Sequence, residues 1–297
     1  MKFNFKQTAL ASAIAFAGAS GAANAALLES VLNVGFNQLN DISAEFILRP
    51  DGMGGYTPVT NTSIAAGDVF GGFIDIENVN GTDLGVAGFE FTGIFLGSIA
   101  SIDAMTPNDT ANPGGIVYDS VDLTFGLASS SDWQNIFGID LSTFGPVDLT
   151  GALSLFFEDG DDDLDIKANA GTLDFATALT NTIDGTLMIA TGLGGVNDSF
   201  TGDDLADTPA DMAAGIPGVT EYGGFQITSS VIYEALAGDV LSEVFASGNN
   251  LTPDLANFGV RDRSDFSFAY VPEPSMLGVL SAGLLGLGFV GRRRKNS

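Results

Sequence analysis

The segment Val121-Asp122-Leu123-Thr124-Phe125-Gly126-Leu127 alternates strictly and puts four apolar side chains on one face. A period of two fits an extended strand with one buried face and does not fit a helix. The pattern returns in Ile74-Asp75-Ile76-Glu77, Phe89-Glu90-Phe91 and Phe266-Ser267-Phe268-Ala269-Tyr270. Short apolar runs at 153–157, 173–175, 187–190 and 225–231 add further strand candidates. Turn-forming clusters separate them, among them Val79-Asn80-Gly81, 191–195 and Gly248-Asn249-Asn250. Many short strands divided by such turns predict an all-β body, an antiparallel β-sandwich or jelly roll. Helix signals are few. Residues 131–137 read as one capped turn or two. Ile232, Leu236, Val240 and Val244 recur every four residues, with Gly238 interrupting the pattern. The Asp-, Gly- and Pro-rich stretch 197–218 reads as a long loop.

Two residue types are missing, and their absence narrows the chemistry. Among 297 residues there is no Cys and no His. Disulfides, thiolate nucleophiles, Cys-ligated clusters and imidazole acid–base catalysis are therefore excluded. What remains is carboxylates, hydroxyls, backbone groups and a few bases.

Both ends read as targeting segments. Lys2 and Lys6 form a positive start, an uncharged apolar stretch follows, and Ala23-Asn24-Ala25 is an A-x-A cleavage site. Residues 1–25 thus predict a signal peptide cut by signal peptidase between Ala25 and Ala26. At the other end, Pro272-Glu273-Pro274 precedes an uncharged run and then Arg292, Arg293, Arg294 and Lys295. The 17 residues 275–291 make a helix of about 25 Å, a short transmembrane span whose basic flank stays cytoplasmic. The two prolines keep the junction before it extended. The chain divides into a signal peptide (1–25), a body (26–270) and a terminal sorting segment (271–297).

The tripartite end over 271–295 resembles the PEP-CTERM sorting signal of Gram-negative bacteria. The resemblance implies export, transient insertion in the inner membrane, and processing near Pro272, Glu273 and Pro274 by an exosortase. It also implies association with exopolysaccharide, biofilm or floc matrices at the cell surface. A second, patchier resemblance rests on Phe36-Asn37-Gln38-Leu39-Asn40 and the stretch 155–163. It is to the flocculation-associated subgroup, and it implies a role in holding cells within a polysaccharide floc.

The charge of the body sets its partners. Lys2, Lys6 and the four terminal bases lie outside it, as does Glu273. That leaves 36 acids against four bases (Arg49, Lys167, Arg261, Arg263) and a formal charge of −32. Such a surface repels nucleic acid and attracts divalent cations. The densest acidic run is Glu158-Asp159-Gly160-Asp161-Asp162-Asp163-Leu164-Asp165. Asp159, Asp161, Asp163 and Asp165, spaced by two, form a candidate calcium site, since calcium takes six to eight oxygen ligands. The spacing is not that of an EF-hand: Leu164 stands where its glycine belongs and Ala170 where its glutamate belongs. Asn197, Asp198, Asp203, Asp204 and Asp207 form a second candidate. No pair among the eight body glutamates stands out for glycoside hydrolysis. The expectation is a non-enzymatic matrix protein that binds extracellular polysaccharide. The alternative is a carbohydrate-binding or carbohydrate-active jelly roll using Trp133 or a Tyr as platform.

Overall fold

The computed structural model describes residues 27–59, 64–108, 117–160, 163–166, 168–169, 172–203, 224–236, 238–252 and 260–272. The long strands are β1 (Gly35–Pro50), β3 (Val69–Val79), β5 (Glu90–Asn108), β6 (Val117–Leu127), β7 (Ala152–Asp159) and β8 (Thr186–Gly192), then β10 (Gly224–Glu234), β11 (Gly238–Thr252) and β12 (Val260–Pro272). Shorter ones are β2 (Tyr56–Pro58), β4 (Thr82–Asp83) and β9 (Ser199–Asp203). Three helices, α1 (Leu84–Ala87), α2 (Ser130–Ile136) and α3 (Phe175–Ile183), and a 3-10 turn at Leu28–Ser30 complete the described elements. The described strands pair antiparallel and belong to one hydrogen-bonded sheet.

That sheet closes on itself. From β1 the pairing runs through β12, β11, β10, β8, β7 and β5 to β3, and β3 pairs again with β1. The closure has a forked wall. Strand β5 pairs with β7 over its first residues and with β6 from Gly97 onward. Strand β10 pairs with β9 and then with β8 in the same way. Ring closure pairs each ring strand on both sides, which removes the open edges a flat sheet would present. The closing contact joins the two ends of the body, Gly35 opposite Tyr270.

Two cores follow from the period-two alternation. Inside the ring, Leu39, Phe70, Ile74, Ile76, Phe91, Phe95, Phe125, Phe156, Phe200, Phe266 and Phe268 pack together. On the outer face of β1, β3, β5, β7 and β8, a second cluster gathers Phe46, Phe73, Ile94, Leu96, Leu155 and Phe157 under α2, α3 and the intervening loops. Strand β7 is accordingly buried along both faces. Close packing demands small residues where strands cross under rings. A Cβ on Gly72 would stand 2.7 Å from the Ala44 carbonyl oxygen, which only glycine avoids.

Three expectations are corrected. Residues 173–175 are not a strand. Asp174 accepts the N–H groups of Ala176 and Thr177 and so starts α3 at Phe175. The four-residue spacing from Ile232 to Val244 is the end of β10 and the start of β11, with Gly238 opening the new strand. Within 197–218, residues Ser199–Asp203 form β9, and 204–218 lie outside the described residues. The capped turn near Trp133 is present as α2, where Ser129 and Asp132 form a reciprocal capping box.

Candidate functional site

Antiparallel order brings the start or end of every ring strand to a common pole. Gly35, Val79, Glu90, Asp159, Thr186, Glu234, Gly238 and Pro272 are the strand ends gathered there. Both chain ends leave from this pole. Pro272 is the last residue of β12, opposite Gly238, a terminal position that tolerates a residue without an N–H. No spacer separates the sheet from the Pro-Glu-Pro triplet. At the other end, Leu27 is the first described residue.

The incoming chain is bolted to the pole by polar side chains. Glu158, buried at the end of β7, accepts the N–H of Leu27 at 2.9 Å and of Leu28 at 2.7 Å, one on each carboxylate oxygen. Leu28 is fully buried in the inner core, so the first turn plugs the ring. Asn37, also fully buried, donates to the carbonyls of Asn33 and Gly35 and accepts the Asn33 N–H at 2.7 Å. Asn80 donates to Asn37 Oδ1 and to the Val31 carbonyl. Asn80 holds a left-handed φ of 52°, a conformation Asn tolerates better than most residues.

On the outer face of the same pole the acids are crowded. Glu90 stands directly opposite Asp159 in the β5–β7 ladder, an arrangement that costs energy when both are charged. Its side chain is 3% exposed. One oxygen accepts the N–H groups of Asp163 and Leu164 at 2.9 and 3.3 Å. The other, Oε1, is buried and has no partner among the described residues. Burial pushes the Glu90 carboxyl up to about 8. The two N–H donors oppose that rise, and Asp159 and Asp75 add to it. Asp184, just past α3, is raised to about 7 by desolvation first, then by the charge of Asp159, by a hydrogen bond between the two carboxyls, and by Asp163. Burial and like charge thus favour the protonated form of Glu90 most, and that of Asp184 less.

A family model for the PEP-CTERM protein-sorting motif matches residues 271–295. The chain carries a PEP-CTERM protein-sorting motif. That motif marks an exported, cell-surface-directed substrate of an exosortase. No curated protein matches the chain. Among solved structures, acetoacetate decarboxylase from Legionella pneumophila aligns over 80% of this chain and 88% of its own, at 9% identity and a TM-score of 0.17. An overlap that low carries no argument about fold or activity.

The fates of the sequence candidates differ. Of the processing residues, Pro272 lies in β12, and Ala25, Ala26, Glu273 and Pro274 lie outside the described residues. So do the apolar run of the PEP-CTERM segment and Arg292, Arg293, Arg294 and Lys295. Among the described residues no helix is long and apolar enough to cross a membrane. Of the calcium candidates, Asp161 lies outside the described residues. Asp159 and Asp163 join the cluster around Glu90 and Asp184, and Asp165 accepts the Ala168 N–H in a surface turn. Among the described residues no group of three acidic side chains is placed to hold a metal ion. In the second candidate, Asp198 is spent on Gly194, Gly195 and Ser230. Trp133 is fully buried in the outer core and offers no platform to a sugar. Tyr56 is buried as well and donates its hydroxyl to Asp132.

Sequence reasoning does not single out Glu90, Asp184 or Asp75. Their signal was present for Glu90, which alternates with Phe89 and Phe91 and so lies on the opposite face. That face reads as solvent in a single-faced strand, and here it is covered.

Proposed function

We propose that this chain is a non-enzymatic surface or matrix protein, delivered by its sorting motif and associating with extracellular polysaccharide in a biofilm or floc. The observation that carries the reading is the junction itself. The PEP-CTERM motif begins on the last residues of a ring strand, so the delivered object is the closed, acidic β body with nothing interposed. The buried carboxylates support the non-enzymatic part. Glu158 clamps backbone, and Glu90 packs beneath a loop. A body of charge −32 is repelled by an acidic polysaccharide. We therefore propose that contact with such a polymer is carried by divalent ions such as calcium, shared between exposed body acids and polymer carboxylates rather than held in a closed protein cage.

The test has two parts. The full chain is expressed with and without an exosortase, and surface display is followed by fractionation. Loss of display without the exosortase is expected. Equal display would overturn the sorting role. Retention of the displayed protein on cell-associated polysaccharide is then measured with calcium and with chelator. Retention that ignores chelator would overturn cation bridging.

A further inference from the structure

The pole that releases both chain ends also carries exposed apolar side chains. Val34 is 74% exposed and Phe36 69%. They flank Gly35, which faces Tyr270 across the β1–β12 ladder, and Phe36 faces Ala269. Phe36 therefore stands level with Ala269, and Val34 directly precedes the strand that lies level with Tyr270. This lip is held rigid. The buried Asn37 ties Asn33 and Gly35 to β1, and Asn80 braces Asn37 from the β3 turn. Apolar groups presented on a fixed turn lose little freedom when they are covered.

The chain outside the described residues says what covers them. Only Glu273 and Pro274 separate Pro272 from Ser275, where the uncharged run begins. Three residue steps of extended chain span about 10 Å. The headgroup layer on each side of the hydrocarbon is itself about 5–8 Å deep. Phe36 faces Ala269, three further residue steps back along β12, so with the run inserted the lip is held within about 20 Å of the hydrocarbon and reaches the interface when the body leans onto it.

We propose that Val34 and Phe36 sit in the lipid interface of the membrane that holds the sorting segment, so that the body is apposed to the bilayer until the tail is processed. This rests on the sorting reading. The acidic stretch from Glu158 to Asp165 leaves the same pole from β7, three strands around the ring from β1. Anionic headgroups would be repelled there, so the lipid that suits the lip is zwitterionic.

The absence of cysteine makes the test clean. Single-cysteine full chains Phe36→Cys, Met53→Cys and Leu284→Cys are labelled with an environment-sensitive dye. They are reconstituted in phosphatidylcholine–phosphatidylethanolamine vesicles, with and without a lipid-borne quencher. Met53 is 87% exposed and lies just beyond the far end of the 16-residue β1, about 50 Å of strand away from the lip. The expected result is a blue shift and quenching at positions 284 and 36, with position 53 as in solution. Insertion at 284 with position 36 behaving like 53 would overturn the lip. A dye at 284 that stays in water would overturn the membrane reading of the tail, and the lip with it. Replacing part of the lipid with phosphatidylglycerol should weaken quenching at 36 and leave 284 unchanged. Stronger quenching there would overturn the choice of lipid.

Discussion

Glu158 and Glu90 do the same job on opposite faces of one ring. Each is a buried carboxylate at the pole, and each grips two successive backbone N–H groups of a segment laid against a core. They differ in how the rest of the charge is met. Glu158 spends one oxygen on each donor. Glu90 spends one oxygen on both donors and leaves the other without a partner among the described residues, with Asp159 opposite and Asp75 near. The first is a satisfied clamp. The second is a clamp that must hold a proton to be comfortable. A buried anion is stable in proportion to the donors aimed at it and the like charges kept away, and this pair varies both at fixed architecture.

The largest effect should come from breaking the satisfied clamp. Glu158→Ala leaves the Leu27 and Leu28 N–H groups without their acceptor and frees the plug. An unmet buried donor costs about 1–3 kcal/mol; the Leu28 N–H is buried and the Leu27 N–H partly so, and with the loosened Leu28 packing added about 4 kcal/mol of stability should be lost. Thermal unfolding would show this as a fall of roughly 8–16 °C for a domain of this size. A fall of a degree or two would mean that the plug is not held by Glu158. Next come the two leucines under the clamps, Leu28 and Leu164, each about 1% exposed or less. Truncation to Ala should cost about 3 kcal/mol at either site near pH 5. At pH 9 the Leu164→Ala cost should shrink, because ionised Glu90 has already loosened the segment 163–166, whereas the Leu28→Ala cost should not change. Denaturant titrations at the two pH values separate these cases.

Glu90→Gln sharpens the contrast directly. The folded carboxyl is raised to about 8 from its ordinary 4.5, so between these values the folded state holds a proton that the unfolded chain has released. This group's contribution is complete below about pH 4.5 and is lost as pH rises toward 8. Glutamine keeps an acceptor for the Asp163 and Leu164 N–H groups and carries no charge. The variant should match the parent near pH 4.5 and exceed it by about 2–3 kcal/mol at pH 9, after allowing the loop to relax. A parent–variant difference that stays flat from pH 5 to 9 would show that Glu90 is already ionised in the fold.

Much of the fold is visible in the sequence because alternation is local. The segments 74–77, 121–127, 153–157 and 266–270 are strands as their period dictates. What alternation cannot show is the cover on the second face. Glu90 sits on an alternating strand whose polar face lies under residues 163–166, so a charge that reads as solvated is buried. The helix α3 was hidden because Leu173 and Phe175 alternate around Asp174, and the capping role of Asp174 depends on the chain turning there. Ring closure was also out of reach. Gly35 and Tyr270 are joined only through the whole intervening fold. At the site, the sorting motif is fully legible because it is linear. The pole that gathers both ends, Asn37 and the two clamps is assembled from distant strands and has no linear signature.

The smallest effect probes the edge of the unsatisfied clamp. Asp184 shares a hydrogen bond with Asp159 and is raised to about 7, first by desolvation and then by Asp159 and Asp163. Unlike Glu90, its side chain reaches solvent, where water and salt screen much of the repulsion. Asp184→Asn removes one acid and keeps a hydrogen-bonding group beside Asp159. The gain at pH 9 should be below about 1 kcal/mol and should fade at high salt, while the Glu90→Gln gain persists because its carboxyl is sealed from ions. The double variant decides whether the two acids act as one unit. If they share a proton pool through Asp159, the gains will fall short of additivity by a few tenths of a kcal/mol or more. Strict additivity would make Glu90 and Asp184 independent, and would confine the frustration of the outer clamp to the Glu90–Asp159 pair.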